Sequence, residues 1–196
     1  GCNFGSMSLH VAQDMRDIRQ TCTVISDSDV VFSGEASLER AVRSALELFQ
    51  PSILFVVSGC VSEMIGDDIP AVLARIPHEA PLLHVEAAGF RGDAARGLEA
   101  GWLALLPLMK PPVPRPYPRP YPRSDPRPLV NLIGLGMDDP HAADDVEALR
   151  AMLAPQAALG AVLSRCTLEE VRRAPYADVN LVLRGKGREL AQARSE

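Results

Sequence analysis

The stretch KPPVPRPYPRPYPRSDPRP, residues 110–128, limits this chain more than any other. It holds nine of the seventeen prolines. Proline fixes φ and lacks an amide donor, so helix and sheet ladder are both forbidden here and extended polyproline II is favoured. The chain must then fold on either side of this segment, as a unit over 1–109, a linker over 110–128 and a second unit over 129–196. Lys110, Arg115, Arg119, Arg123 and Arg127 against Asp125 give the segment a charge of +4, so the rest of a chain of net charge −5 carries −9. A stiff spacer between two α/β units accounts for it; as function, it would be a basic strap for an acidic partner or a proline-rich docking site.

Both flanks alternate between helical and strand patterns. Leu38, Val42, Ala45, Leu46 and Phe49 recur at three- and four-residue steps and share one helix face. Ser33 or Ser37 is placed to cap that helix and Pro51 to end it. Ile53 to Val57 is a continuous apolar run, as in a parallel strand covered on both faces. A helix is predicted over about Asp67 to Ile76 with its acids in the first turn, a strand over Leu82 to Val85, and a helix within Gly92 to Met109. After the linker come strands at Leu129 to Ile133, Leu159 to Leu163 and Val179 to Leu183. Helices are predicted at Ala142 to Leu153, Thr167 to Arg173 and from Gly185 onwards. The fold class is α/β: three-layer, mostly parallel Rossmann-like sheets with flanking helices and right-handed crossovers. Scarce aromatics, 5% of residues, suit this layering better than an all-β sandwich.

Acidic net charge gives no reason to expect nucleic acid or a membrane surface as partner. No apolar run nears the roughly 20 residues of a membrane span, no signal-peptide pattern opens the chain, and the cytoplasm is the default compartment. The opening Gly1-Cys2, without Met, fits a processed product or an excised domain, the latter being favoured. Cys2, Cys22, Cys60 and Cys166 are widely spaced with no CxxC, against a disulfide framework or a self-contained zinc site. His10, His78, His84 and His141 show no metal-binding spacing, and His84 fits a satisfied, half-buried histidine. Ser58, Ser62 and Glu63 form no hydrolase pattern. The turn GLGMDD, residues 134–139, lacks the third glycine and the lysine of phosphate loops.

Cys60 stands apart from the other cysteines. It follows the apolar strand and Gly59, at the carboxyl end where open parallel sheets bind ligands. Soft thiolates bind iron–sulfur clusters, zinc or copper(I), yet one cysteine cannot hold a cluster alone.

Residues 29–69, DVVFSGEASLERAVRSALELFQPSILFVVSGCVSEMIGDDI, resemble the component 1 superfamily of nitrogenase-like oxidoreductases. The resemblance centres on a cysteine followed by Ile65-Gly66-Asp67-Asp68. Upstream, Gly1-Cys2 and the segment TCTVISDSDVVFSGE fall where that family has its preceding cysteine and the approach to the same helix. PLLHVEAAGFRGDAARG, residues 81–97, is similar to its strand and Gly-Phe-x-Gly turn. LVNLIG and ADVNLVL look like strands of its next domain.

The resemblance implies that Cys2 and Cys60 ligate the iron of an iron–sulfur cluster, of unspecified type, between two related subunits. The partner would be a homologous sister subunit or a second copy, and an ATP-dependent iron–sulfur reductase protein would supply electrons. The chain would then be part of an oxidoreductase subunit relaying electrons to a substrate or cofactor site. Arg184 stands where catalytic subunits of the family carry a cofactor-binding cysteine. That departure keeps open a cofactor-maturation scaffold without turnover, and a metal-free interaction module is the further alternative. Cys22 and Cys166 match no ligand position and are expected to be structural thiols. For Asp67 and Asp68, helix-start stabilisation is favoured over a role beside the cluster.

Overall fold

The computed structural model describes residues 19–109, 125–136, 141–183 and 187–193. They fall into two compact units that divide at Gly101, within a helix.

Among the described residues the first unit opens with α1 (Asp27–Phe32), started by a capping box in which Ser26 accepts from the Asp29 N–H and the Asp29 carboxylate accepts from Ser26. Helix α2 (Glu35–Phe49) starts at Gly34, where the Ser33 hydroxyl accepts from the Glu35 N–H at 3.2 Å. Ser37 caps nothing: it is buried and donates back to Asp29 of α1 at 3.0 Å. Gln50 ends α2 in a left-handed conformation ahead of Pro51.

Strand β1 (Leu54–Ser58) pairs in parallel with β2 (Leu82–Glu86), with Ser58 opposite Glu86. Two short helices, α3 (Cys60–Ile65) and α4 (Ile69–Arg75), make the crossover. Val42 of α2 and Ile69, Val72, Leu73 and Ile76 form a core against Leu54, Val56 and Leu82; each such side chain contributes about 1.5–3 kcal/mol by leaving water. The expectation that β1 is covered on both faces does not hold. Phe55 and Val57, alternating with Leu54 and Val56, are 39% and 61% exposed.

Asp67 and Asp68 do not sit in the first turn of α4. Asp68 is the N-cap, accepting from the Ala71 N–H at 3.0 Å. Asp67 reaches back and accepts from Ser33 Oγ at 3.0 Å and the Gly34 N–H at 2.9 Å. The helix expected within Gly92 to Met109 is α5 (Ala94–Leu103), followed by a 3-10 turn, Leu106–Met109.

In the second unit β3 (Leu129–Ile133) lies between β4 (Ala158–Val162) and β5 (Val179–Val182), all parallel. Helix α6 (Ala142–Leu153) joins β3 to β4, and α7 (Leu168–Arg173) with a 3-10 turn, Ala174–Tyr176, leads to β5. Thr167 and Glu170 form a capping box at α7, and α8 (Arg188–Ala193) follows β5. β3 is the strand covered on both faces. Val130 and Leu132 pack with Val146 and Val162, and Asn131 and Ile133, on the other face, are each 2% exposed.

Asn131 is a buried amide in an apolar strand, and it is satisfied. The register between β3 and β4 slips between Val130 and Leu132. There the Asn131 carbonyl accepts from the Ala161 N–H at 3.0 Å, while its amide donates to Ala174 O and Asn180 Oδ1 at 2.8 and 3.0 Å.

Most of the proline-rich segment, 110–124, lies outside the described residues, as do Cys2, His10, Arg184 and 137–139 of the GLGMDD turn. Its last residues belong to the second unit: Arg127 clasps Asp125 and donates to Ala154 O beside the end of α6, and Pro128 O accepts from Ala158 N at 2.8 Å.

Candidate functional site at the carboxyl ends of β1 and β2

Parallel pairing brings the ends of β1 and β2 together, so Gly59-Cys60 and residues 87–92 emerge side by side. Ligands of open parallel sheets bind beyond this end. Gly59 is extended, and the chain enters α3 at Cys60 itself. The thiol is exposed, and Cys60 Sγ accepts a hydrogen bond from the Gly89 N–H at 3.2 Å.

One helical turn later stands Glu63, whose side chain is only 6% exposed. Its Oε1 accepts from Ser58 Oγ at 2.6 Å and from the Ala88 N–H at 3.2 Å. Its Oε2 accepts from Arg91 Nε, and Arg91 also pairs with Glu86 at 3.0 Å. Burial pushes the Glu63 carboxyl up, but hydrogen bonds from Ser58, Arg91 and Ala88 outweigh it and leave the group below its ordinary value. His84 Nε2 lies 3.1 Å from Ser58 Oγ. The hydroxyl proton goes to the carboxylate, so the imidazole donates to the hydroxyl. Burial lowers the His84 pKa, against the pull of Glu86 and Glu63.

Sequence reasoning missed this set of five: Ser58, Glu63, His84, Glu86 and Arg91. It is not a hydrolytic triad. Ser58 is 4% exposed, its proton is committed to Glu63, and the acid touches the serine rather than the histidine. The half-buried, satisfied His84 is as expected.

Of the two predicted cluster ligands, Cys60 is placed at this exposed sheet end, and Cys2 lies outside the described residues. Cys166 fits a structural thiol: it is half-buried, and burial with Glu170 nearby pushes its pKa up to about 11. Cys22 does not, being exposed. Among the described residues, no group of three or more His, Cys, Asp or Glu side chains could hold a metal ion. Cys60 is thus not part of a complete metal site among the described residues. No helix among the described residues is long and apolar enough to cross a membrane.

Fold and site together define a parallel α/β protein that presents a cysteine thiol at the ligand-binding end of its sheet. The chain belongs to the nitrogenase component 1 type oxidoreductase family, whose profile matches residues 1–194. The nitrogenase iron-molybdenum cofactor biosynthesis protein NifE of Rippkaea orientalis is 40% identical over 86 residues, 43% of this chain and 18% of that protein. The protein of the same name from Methanosarcina barkeri is 30% identical over 173 residues, 82% of this chain and 35% of its own length. Component CfbD of the Ni-sirohydrochlorin a,c-diamide reductive cyclase complex of Methanothermobacter thermautotrophicus is 33% identical over 93 residues, 47% of this chain and 25% of that protein. A solved structure, nitrogenase Cp1 at pH 5, matches with a TM-score of 0.67 at 24% identity over 88% of this chain and 34% of that one, a likeness of fold. The chain spans between 18% and 35% of these relatives' lengths. The family resemblance and the α/β fold class read from the residues are both borne out.

Proposed function

We propose that this chain supplies Cys60 and Cys2 to an iron–sulfur cluster shared with a related subunit, within a nitrogenase-like component 1 complex. The observation that supports it is the exposed Cys60 Sγ at the sheet's ligand end, with a peptide N–H already directed at it. Such a hydrogen bond to a ligating sulfur is one of the levers by which a protein sets cluster potential. By the family resemblance, the remaining ligands come from an earlier cysteine and from a homologous sister subunit or a second copy, and the electrons from an ATP-dependent iron–sulfur reductase partner. When bound, the cluster supplies one-electron transfer. The chain's own residues orient the sulfur, hold a donor on it and brace the loop that bears that donor.

The relatives favour a second reading of the same site. NifE relatives from both Rippkaea orientalis and Methanosarcina barkeri are cofactor biosynthesis proteins by name, which supports a scaffold that carries a metallocluster as cargo. The two readings separate when the full-length protein, its subunit partner, the reductase, ATP and dithionite as electron donor are assayed together. Electron relay to a substrate predicts multiple-turnover reduction, with hydrogen evolution as the probe. A scaffold predicts no turnover, with stoichiometric transfer of metal to a cluster-free acceptor. Full-length protein that contains no iron when isolated anaerobically with its subunit partner would sink both readings and leave the metal-free module.

A further inference from the structure

We infer that Glu63 is a positioning residue for Cys60: a buried carboxylate that grips the turn over residues 88–91 and so holds the Gly89 N–H on the sulfur. The inference rests on the proposed ligand role of Cys60. Glu63 follows Cys60 by three residues on α3, so the two side chains share a helix face. The adjacent peptide groups of Ala88 and Gly89 donate to these two side chains in turn, Ala88 N to Glu63 Oε1 at 3.2 Å and Gly89 N to Cys60 Sγ at 3.2 Å.

The turn is held at both ends by one carboxylate. Arg91 N donates to Ala88 O at 2.9 Å, closing the turn, and the Arg91 side chain donates to Glu63 Oε2. Ser58 at the end of β1 donates to Glu63, and Arg91 pairs with Glu86 at the end of β2, so both strands anchor the frame. A carboxylate this buried is costly unless it is paired and hydrogen-bonded. Here the donors that satisfy it come from the strand end and the loop that make the thiol's surroundings. An ordinary stabilising ion pair has no reason to take its second acceptor bond from the peptide beside the thiol's own donor. Outer-shell partners of this kind typically alter metal affinity by about 10–100-fold.

The test uses the full-length protein with its subunit partner, as wild type, Glu63→Gln, Arg91→Gln and Cys60→Ala. Glu63→Gln keeps shape but turns an amide toward the Arg91 guanidinium, and Arg91→Gln alters a side chain that is 45% exposed. Both variants are expected to bind iron, to show a lower cluster midpoint potential, and to lose iron to a chelator roughly 10-fold faster than wild type. In cluster-free protein, amide exchange of the peptide spanning 87–92 should speed up while that of β1 does not change. Wild-type iron loss and potential in both variants, or faster exchange throughout the first unit, would reduce Glu63 to a structural role and overturn the inference. If Glu63→Gln yields no folded protein, Arg91→Gln alone decides on the same readouts. Cys60→Ala that keeps its iron would instead overturn the ligand reading, whatever the other variants do.

Discussion

At Gly187 a single methyl group decides how the second unit closes. The residue has φ +80°, and a Cβ there would meet Ile133 Cγ2 and come within 3.0 Å of Trp102. Left-handed backbone costs a non-glycine residue about 1–2 kcal/mol, and overpacking adds about 1–3 kcal/mol. Gly187→Ala should therefore lower the urea midpoint by the equivalent of more than about 2 kcal/mol; an unchanged midpoint would contradict this packing. Asn131 makes a second residue-scale case. Asn131→Ala strands the Ala161 N–H, and should cost about 1–3 kcal/mol in the same experiment. His84 links the site to pH. Its folded pKa lies below its ordinary value because burial penalises the charged ring, so the unfolded chain binds more protons as pH falls through about 6.5. Stability should drop on acidification from pH 7 to 5, and His84→Gln should flatten that slope; equal slopes would refute the assignment. The place of Cys60 just beyond β1 and the hydrogen-bonded, half-buried His84 were legible from position and residue type. The Ser58–Glu63–Arg91 set was not, because Glu63 and Arg91 are 28 residues apart and meet only once β1 and β2 pair.

Among elements, the long amphipathic helices and the apolar strands could be read from their periods. Short helices could not. α1 and α3 have six residues each, too few to show a 3.6-residue repeat, and only Gly59 separates β1 from α3. Cys60 therefore reads as strand-end when it is the first residue of a helix. Asp67 was invisible for a different reason. Its partners, Ser33 Oγ and the Gly34 N–H, lie on the far side of α2 in sequence, and acids before an apolar helix look like dipole stabilisers. Its contacts tie the α1–α2 junction to the segment before α4. Asp67→Ala should cost about 1–3 kcal/mol by leaving the half-buried Gly34 N–H without its acceptor. Asp68→Ala, which removes only a cap, should cost about 1 kcal/mol. Chemical denaturation of the two variants side by side checks the order, and a reversed order would contradict the division of labour between the two acids.

On the scale of the whole molecule, the proline-rich segment is read from sequence as a linker between two α/β units. The compact units divide at Gly101, however, so the 3-10 turn before the prolines goes with the second. The α/β class was legible because β3 and β1 are apolar runs between helical patterns; which faces are covered was not, since an apolar run reads alike whether one face or two is buried. β3 is buried on both sides, and β1 leaves Phe55 and Val57 exposed. Family membership gives the exposed thiol its meaning, and the central claim is that it ligates iron. Cys60 is exposed, so Cys60→Ala removes the ligand without opening the core. The direct measurement is iron and acid-labile sulfide in the anaerobically isolated full-length protein with its subunit partner, for wild type, Cys60→Ala and Cys2→Ala. The account predicts iron and sulfide in wild type and their loss, with the cluster's visible absorption, in both variants. Iron content and spectrum unchanged by the two substitutions would contradict it.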